Sequence, residues 1–432
     1  MTEAYLRDFA AFAANGGGSG PPWLLPIRRS AIERFGALGF PTPKNEDWHF
    51  TSVSPIAERA FAPAPAVAAG VARADVAVHA FGAGFIELVF VNGRFAPALS
   101  DVDGIPAGVT VRDLAGAWRD APALLEPHLA RVAGYRDASF TALNTAFMYD
   151  GAVIHIARDV ALDRPIHLLF LATADGTARV SHPRTLIVAE PNASATVIES
   201  YAAIGDATYL TNAVTEAVLR AGATLTHLKL QRESPAAYHV GTVEARQERD
   251  SHFISFSFAT GAALSRTNIY TVLDGEGSGA TLDGLYMTDG TQHVDHQTRI
   301  EHAKPNTFSR EVYKGILAGE SHGVFNGKVY VRPEAQKTDG KQENNNLLLS
   351  ERARVDTKPQ LEIFADDVKC THGATVGRLD DQALFYMKSR GIGAEHARKL
   401  LTYAFAAGVL ESIAVEPVRR SLEAATLARF AW

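Results

Sequence analysis

The chain has 432 residues, of which 47% are hydrophobic and 21% are charged, and its formal net charge is −6. A chain of this length and composition buries a substantial core and divides into two or three structural units. The acidic balance gives no electrostatic reason to expect binding to nucleic acid or to an anionic membrane, because both require clustered Lys and Arg.

Cysteine content and the N-terminal stretch bear on the cellular compartment. The only cysteine, Cys370, has no partner for an internal disulfide, which is typical of a reducing compartment. The first residues lack the basic and apolar pattern of a secretory signal, and no stretch reaches the roughly 18 apolar residues of a membrane span. We therefore expect a cytoplasmic protein without a membrane segment.

Residues 1–150 are predicted to form a helical and mixed α/β domain. Tyr5, Phe9 and Phe12 are spaced for one apolar face of a helix, and the glycine-rich linker NGGGSGPP follows that helix. A second helix is predicted from Trp23 to Leu38, and strand-like and helix-like stretches follow it.

Residues 151–373 consist of short β-rich runs with little helical periodicity, and their turns recur regularly. The spacing between turn-forming residues is 30 positions once and then 28; the residues are Asn192, Gly222, Asp250, Ser278, Asn306 and Glu334. A constant period predicts stacked coils with paired backbones, as in a parallel β-helix. An immunoglobulin-like sandwich is the competing all-β interpretation, but its strand spacing is shorter and less regular. The predicted fold is therefore mainly β, with a β-helix core.

Residues 374–432 are predicted to be helical. Asp380 or Asp381 caps a first helix, a second runs from about Ala394 to Leu410, and a third follows Pro417. The second helix carries an apolar stripe, which comprises Ala397, Leu400, Leu401, Ala404, Phe405 and Gly408. We expect this unit to cap the open end of the solenoid and to offer a docking face.

The most histidine-rich stretch runs from His293 to His302. On a strand, alternation puts His293 and Asp295 on one face and His296 and His302 on the other. A transition-metal site would need a further ligand from a neighbouring coil. We favour a strand with one solvated face, because this stretch does not supply three ligands.

The stretch from Ala335 to Ser350 concentrates amides and lysines. Three consecutive asparagines, Asn344 to Asn346, are expected at corners, where Asn side chains bond to free backbone groups. Lys337 and Gln342 are expected to be exposed, and their spacing alone assigns them no role.

The stretch DVKCTHGATVG holds Cys370 two positions before His372. On a strand both side chains project to the same, more apolar side. They are either packed at the end of the core, or ligands of a soft metal or sulfur species, or a Cys–His nucleophilic dyad. Two ligands are too few for a metal site, so such a site would need donors from a partner protein.

The run from Thr357 to Ile392 resembles the signature of the SufB/SufD family, whose members assemble iron–sulfur clusters in the SUF system. The stretches YKGIL, VFNGKVYV, AQKTDGKQENNNLLLS and PTPKNEDWHFTSV extend the resemblance to most of the chain. The form KCTHGAT and the chain length make it more similar to the SufD branch. The resemblance implies a right-handed parallel β-helix between two helical domains, in a scaffold that is not an enzyme and binds no nucleotide itself.

The resemblance also implies partners and site residues. It predicts a heterodimer with a SufB-like paralogue, a possible homodimer in isolation, and a SufC-like ATPase on the C-terminal helices. His372, with Cys370, would ligate a transient iron–sulfur cluster at the partner interface and aid iron acquisition. ATPase docking is assigned to the first C-terminal helix; the residues are Asp380, Leu384, Phe385, Tyr386 and Arg390. A polysaccharide-active β-helix enzyme and a purely structural partner without metal contact remain the alternatives.

Overall fold

The computed structural model describes residues 2–14, 20–64, 70–174 and 176–429. The structure is mainly β, with helices before and after a central solenoid. Most of the predicted glycine-rich linker, at residues 15–19, lies outside the described residues.

The α-helices of the described residues fall into an N-terminal and a C-terminal group. The N-terminal group comprises α1 (Thr2–Phe12), α2 (Leu24–Leu38), α3 (Ser54–Ala57), α4 (Arg73–Ala77), α5 (Leu114–Asp120), α6 (Pro122–Leu125) and α7 (Ser139–Phe147). The C-terminal group comprises α8 (Asp381–Ser389), α9 (Ala394–Leu410) and α10 (Glu416–Arg429).

The strands form two sheets, named sheet A and sheet B. Sheet A contains β1 (Ala62–Pro63), β4 (Val109–Asp113), β5 (Ala152–Ile156), β7 (Arg179–Ser181), β8 (Arg184–Ala189), β10 (Tyr209–Leu219), β12 (Tyr238–Gln247), β14 (Leu264–Leu273), β16 (His293–His302), β18 (His322–Val331) and β20 (Arg354–Ile363). Sheet B contains β2 (Ile86–Val91), β3 (Arg94–Phe95), β6 (Ile166–Thr173), β9 (Ser194–Ile204), β11 (Thr224–Arg232), β13 (His252–Ala259), β15 (Gly279–Thr288), β17 (Phe308–Leu317), β19 (Asp339–Leu348) and β21 (Lys369–Gly377).

The chain alternates between the two sheets from β8 onward, so that each coil contributes one strand to each sheet. Strands of successive coils pair in parallel; Thr224 pairs with His252, and His252 pairs with Gly279. This arrangement is a parallel β-solenoid, and it confirms the fold predicted from the period of the turns. The predicted division after residue 373 stays a prediction, and β21 extends beyond that position to Gly377.

The corners of the solenoid explain the sequence period. Asn192, Asp250 and Asn306 adopt positive φ angles of 60°, 56° and 58°, which asparagine, aspartate and glycine tolerate best. The predicted corner residues Ser278 and Glu334 also lie in turns, and the left-handed residues of those turns are Gly277 and Lys337. The period of the turns is therefore visible in the sequence, whereas the left-handed position within each turn varies.

Apolar side chains fill the space between the sheets in the first coils. Phe90 stacks on Phe170 with ring centroids 4.8 Å apart, and Phe170 stacks on Tyr201 at 4.9 Å. Antiparallel pairing of β3 with β2 and of β4 with β5 ends both sheets on this side. The N-terminal end of the solenoid is therefore closed by strands of different direction.

The N-terminal helices cover one side of these early coils. Tyr5, Phe9 and Phe12 share one face of α1, as predicted, and this face packs against Phe35 of α2. On sheet A, the buried carboxylate of Glu216 pairs with Arg184 at 2.7 Å and accepts hydrogen bonds from backbone N–H groups of residues 130–133. The backbone hydrogen bonds hold residues 130–133 against sheet A, and the ion pair ensures that neither buried charge is left unpaired.

The C-terminal helices pack on the outer face of sheet B, so the prediction that they cap the open end was wrong. Ala406, Val409 and Leu410 of α9 pack in one cluster with Leu228 and Phe256 of sheet B. The buried face of α9 also differs from the predicted stripe, of which Ala397 alone is buried. The outer face of sheet B carries apolar side chains such as Leu230 and Phe258, and α9 buries its own apolar residues against them.

Candidate functional site

The C-terminal end of the solenoid is open. β20 ends sheet A and β21 ends sheet B, and among the described residues no strand pairs with their outer edges. Apolar side chains are exposed there; Val376 is 51% exposed and Phe364 is 56% exposed. An edge strand of this kind presents unpaired N–H and C=O groups, with which another chain can pair.

Cys370 and His372 lie on β21, the last strand of this open end. Cys370 pairs in register with Gly340 and packs against a small apolar cluster that includes Val329 and Val331. Burial raises the pKa of the Cys370 thiol, and Asp339 adds to this effect, so the neutral thiol is favoured over the nucleophilic thiolate. These are the contacts of a half-buried packing residue, and its role as a ligand stays a prediction.

His372 differs from Cys370 in exposure. Its side chain is exposed, whereas the side chain of its in-register neighbour on β19, Gln342, is buried. The alternative in which both residues are packed at the end of the core therefore does not hold for His372, because among the described residues no further coil covers β21. Within the described ranges, no group of three or more His, Cys, Asp or Glu side chains is arranged to hold a metal ion.

Polar side chains lie inside the solenoid behind His372. Glu311 on β17 pairs in register with Gln342, and Gln342 Nε2 donates a hydrogen bond to Glu311 Oε2 at 2.6 Å. Desolvation raises the pKa of Glu311 to about 7, against the opposing effect of the hydrogen bond from Gln342. The prediction that Gln342 is exposed was wrong, and Glu311 was not singled out by sequence reasoning. The alternation of side chains along β17 and β19 was the sequence signal that could have placed Glu311 and Gln342 inside the solenoid.

The neighbouring asparagines also lie within a strand and not at a corner. Asn344 and Asn346 are buried inside β19, where Asn346 Nδ2 donates to Asn344 Oδ1 at 2.6 Å. Asn344 Nδ2 also donates to the carbonyl oxygen of Tyr313 at 3.2 Å. Their use is structural, as expected, but they stabilise the interior of the last coils.

Helix α8 follows β21 after a connection of three residues, Arg378 to Asp380. Asp380 caps this helix, as predicted, by accepting a hydrogen bond from the backbone N–H of Gln382 at 2.8 Å. Phe385 and Tyr386 are 73% and 60% exposed.

The other two predicted docking residues of α8 take different positions. The Arg390 guanidinium lies 5.2 Å from the centre of the Tyr386 ring, so these two residues form an exposed cation–aromatic pair. Leu384 is partly buried in a groove of about 160 Å³ that Leu349 and Arg398 also line. The predicted docking residues therefore share one helix, but they do not share one surface.

The histidine-rich stretch forms β16, with His296 and His302 inside the solenoid and His293 and Asp295 outside, as alternation predicts. The outer face is solvated only in part, because the N-terminal segment covers Asp295 while Arg299 on the same face is exposed. Asp295 is buried, pairs with Arg266 at 2.7 Å and accepts a hydrogen bond from Thr51 at 2.6 Å. This stretch is therefore part of the packing between the N-terminal segment and sheet A.

Two family profiles match the chain. The profile described as "SUF system FeS cluster assembly, SufBD core domain" matches residues 170–405, and "SufBD protein N-terminal region" matches residues 3–168. The chain belongs to the SufBD family. The resemblance found in the sequence is thereby confirmed, and the chain has a role in iron–sulfur cluster assembly in the SUF system.

Curated relatives agree with the family profiles. A SufBD family protein of Synechocystis is 36% identical over 405 residues, which cover 90% of this chain and 87% of the relative. SufD of Escherichia coli is 34% identical over 400 residues, 92% and 91% of the two chains. SufD of Bacillus subtilis is 28% identical over 435 residues, 98% and 96% of the two chains. The name SufD recurs among relatives that match most of the chain.

Membership of the SufBD family assigns the molecule to the SUF system of iron–sulfur cluster assembly. In the described part of the chain, no helix is long and apolar enough to cross a membrane.

Proposed function

We propose that this SufBD family chain is a non-catalytic scaffold subunit that pairs with a SufB-like subunit through β20 and β21. In this proposal His372 ligates the nascent iron–sulfur cluster at the interface, with Cys370 beside it, and the chain aids iron acquisition. The observation that carries the proposal is an exposed imidazole on an unpaired edge strand. The iron–sulfur cluster is the product under assembly, held transiently and passed on.

The chemistry of the open end supports a shared site. One imidazole and one half-buried thiol cannot complete the coordination of iron, so cysteine and sulfide from outside the chain must supply the other donors. Pairing of β20 and β21 with strands of a partner would place those donors beside His372 and satisfy the free backbone groups of the edge.

Anaerobic reconstitution with SufB-like and SufC-like partners tests the ligand role. We expect His372→Ala to reduce cluster formation, followed by visible absorbance, by at least tenfold. His49→Ala, which removes another exposed imidazole, is the matched control and is expected to leave cluster formation unchanged. Unchanged cluster yield in His372→Ala would instead support a purely structural partner.

Helix α8 is the proposed docking site for a SufC-like ATPase. Phe385 and Tyr386 are large aromatic side chains that stay exposed in the chain alone, and such residues carry much of the binding energy at protein interfaces. We expect the double variant Phe385→Ala/Tyr386→Ala to weaken ATPase binding at least tenfold, measured by calorimetry. Leu427→Ala, at an exposed position on α10, is the control. Unaltered affinity in the double variant would contradict the docking assignment.

The short connection between β21 and α8 suggests how ATP could act on the cluster site. In this proposal, dimerisation of two ATPase subunits pulls on α8 and shifts the pairing of β21, which exposes His372 to iron and sulfide. Insertion of a flexible glycine segment between Arg378 and Leu379 should uncouple ATP hydrolysis from cluster formation while both partners still bind. Normal ATP-dependent assembly with that insertion would contradict the coupling.

A further inference from the structure

Three side chains in register form a row that extends from the interior of the solenoid to its open end. Glu311 on β17, Gln342 on β19 and His372 on β21 occupy the same register position of sheet B. The first two are 0% and 1% exposed, whereas His372 is exposed. Neighbouring strands lie about 4.8 Å apart, so side chains at one register position reach each other.

The amide group of Gln342 is held in one orientation. Its Nε2 donates to Glu311 Oε2 at 2.6 Å, on the side of the preceding strand. Across the interior lies Gly327 of β18, and a Cβ atom at that position would come within 2.3 Å of Gln342 Nε2. Glycine at 327 therefore leaves the space that the amide nitrogen occupies.

The carbonyl oxygen of the same amide is available to accept another hydrogen bond. Gln342 Oε1 is buried and has no hydrogen-bond partner among the described residues. The nitrogen and oxygen of a glutamine amide diverge from one carbon, one on each side of the Cγ–Cδ bond. With Nε2 bonded to Glu311 in the preceding strand, Oε1 is the atom left for a donor from the following strand, where the residue in register is His372.

We propose that Gln342 is a positioning residue for His372, and that Glu311 holds Gln342 in the required orientation. When a partner covers the open end, Gln342 Oε1 accepts the imidazole N–H of His372. This hydrogen bond fixes one tautomer and leaves the lone pair of the other ring nitrogen free for a metal ion, as acceptors bonded to metal-binding histidines commonly do. The inference rests on the proposed role of His372 as a ligand.

The tautomer of His372 provides a direct test. The chain is labelled with ring-¹⁵N histidine, bound to an unlabelled SufB-like subunit and studied by NMR at about pH 8, where ordinary imidazoles are neutral. His372→Ala identifies the resonances. We expect two distinct nitrogen shifts for His372, one protonated and one bare, and averaged shifts in Gln342→Leu. Averaged shifts in the unsubstituted complex, or distinct shifts in Gln342→Leu, would overturn the inference.

Further variants separate positioning from folding. Glu311→Gln is isosteric and keeps an acceptor for Gln342 Nε2, so distinct shifts should be retained; averaged shifts in this variant would count against the inference. Gln342→Met serves if Gln342→Leu does not fold, because methionine matches the length of glutamine without a carbonyl. Asn344→Leu is the matched control, since it removes another buried amide of β19 at the register position of Ala374. This control should keep the distinct shifts of His372.

Metal affinity gives a second readout on the same complexes. Co²⁺ binding, followed by visible absorption, should weaken about 10- to 100-fold in Gln342→Leu, as is usual when a metal-binding histidine loses the acceptor that orients its ring. Asn344→Leu should bind Co²⁺ as the unsubstituted complex does.

The two proposals fail in different ways. If His372→Ala weakens Co²⁺ binding and Gln342→Leu does not, the positioning role is overturned and the ligand role stands. If His372→Ala leaves Co²⁺ binding unchanged, the ligand role itself is overturned, whatever tautomer His372 adopts.

Discussion

The two ends of the solenoid differ in whether their terminal strands are covered. At the N-terminal end, antiparallel strands close both sheets, and Phe90 is buried in a stack of aromatic rings. At the C-terminal end, β20 and β21 have free outer edges among the described residues, and Phe364 is 56% exposed. Proteins usually protect such edges, so an edge left open at one end and closed at the other favours an interface at the open end.

The largest expected difference concerns one phenylalanine at each end. Phe90→Ala should lower the free energy of unfolding by about 3–5 kcal/mol, because it leaves a cavity between Phe170 and Phe95. Phe364→Ala should cost less than about 1 kcal/mol, because its ring is largely in water already. Urea unfolding of the isolated chain measures both. Equal costs would mean that the open end is as well packed as the closed one.

A smaller effect should appear in the pH dependence of stability, through Glu311 near the open end. Burial raises its folded pKa to about 7 from 4.5. Between these values the folded state keeps a proton that the unfolded state has released, so the free energy of unfolding falls as pH rises through this window. The change attributable to Glu311 is at most about 3 kcal/mol.

The variant Glu311→Gln isolates this contribution. Its free energy of unfolding, measured by urea denaturation from pH 4.5 to 8, should fall less steeply between pH 4.5 and 7 than that of the unsubstituted chain. Above about pH 7 the two dependences should run parallel. Identical slopes below pH 7 would show that Glu311 is ionised in the folded chain.

The smallest expected effect on stability belongs to the free edge itself. Val376→Lys, on β21, should change the free energy of unfolding of the isolated chain by about 0.5 kcal/mol or less, because the side chain is exposed. The same variant should weaken binding to a SufB-like subunit at least tenfold, measured by calorimetry, since a lysine on an edge strand opposes strand pairing. Ile254→Lys, on the outer face of β13, should leave binding unchanged. Equal binding by both variants would place the interface elsewhere.

Much of the fold was predictable from the sequence because its signals are local. Corner residues such as Asn192 and Asp250 recur with each coil, and α9 begins and ends at the predicted residues, Ala394 and Leu410. Alternation also placed His293 and His296 on opposite faces of β16 correctly. These patterns depend on backbone conformation and on strand or helix period, which neighbouring residues determine.

The candidate site was predictable only in part. The sequence places Cys370 and His372 on one side of a strand, but burial depends on whether another coil follows that strand. Gln342 was expected to be exposed because its side chain is a polar amide. It is buried, because β19 lies between β17 and β21. The side of the solenoid on which α9 packs was also unpredictable, because two apolar surfaces were available to it.

The sequence by itself determined the repeating coil, the helices at both ends and the membership of the SufBD family, because each depends on short-range patterns and motifs. Tertiary structure alone decided that the C-terminal helices lie on the outer face of sheet B and leave β21 at a free edge. The reason is that exposure and pairing depend on which surfaces meet in space. His372 is exposed because the last coil is the one that nothing within the described chain covers.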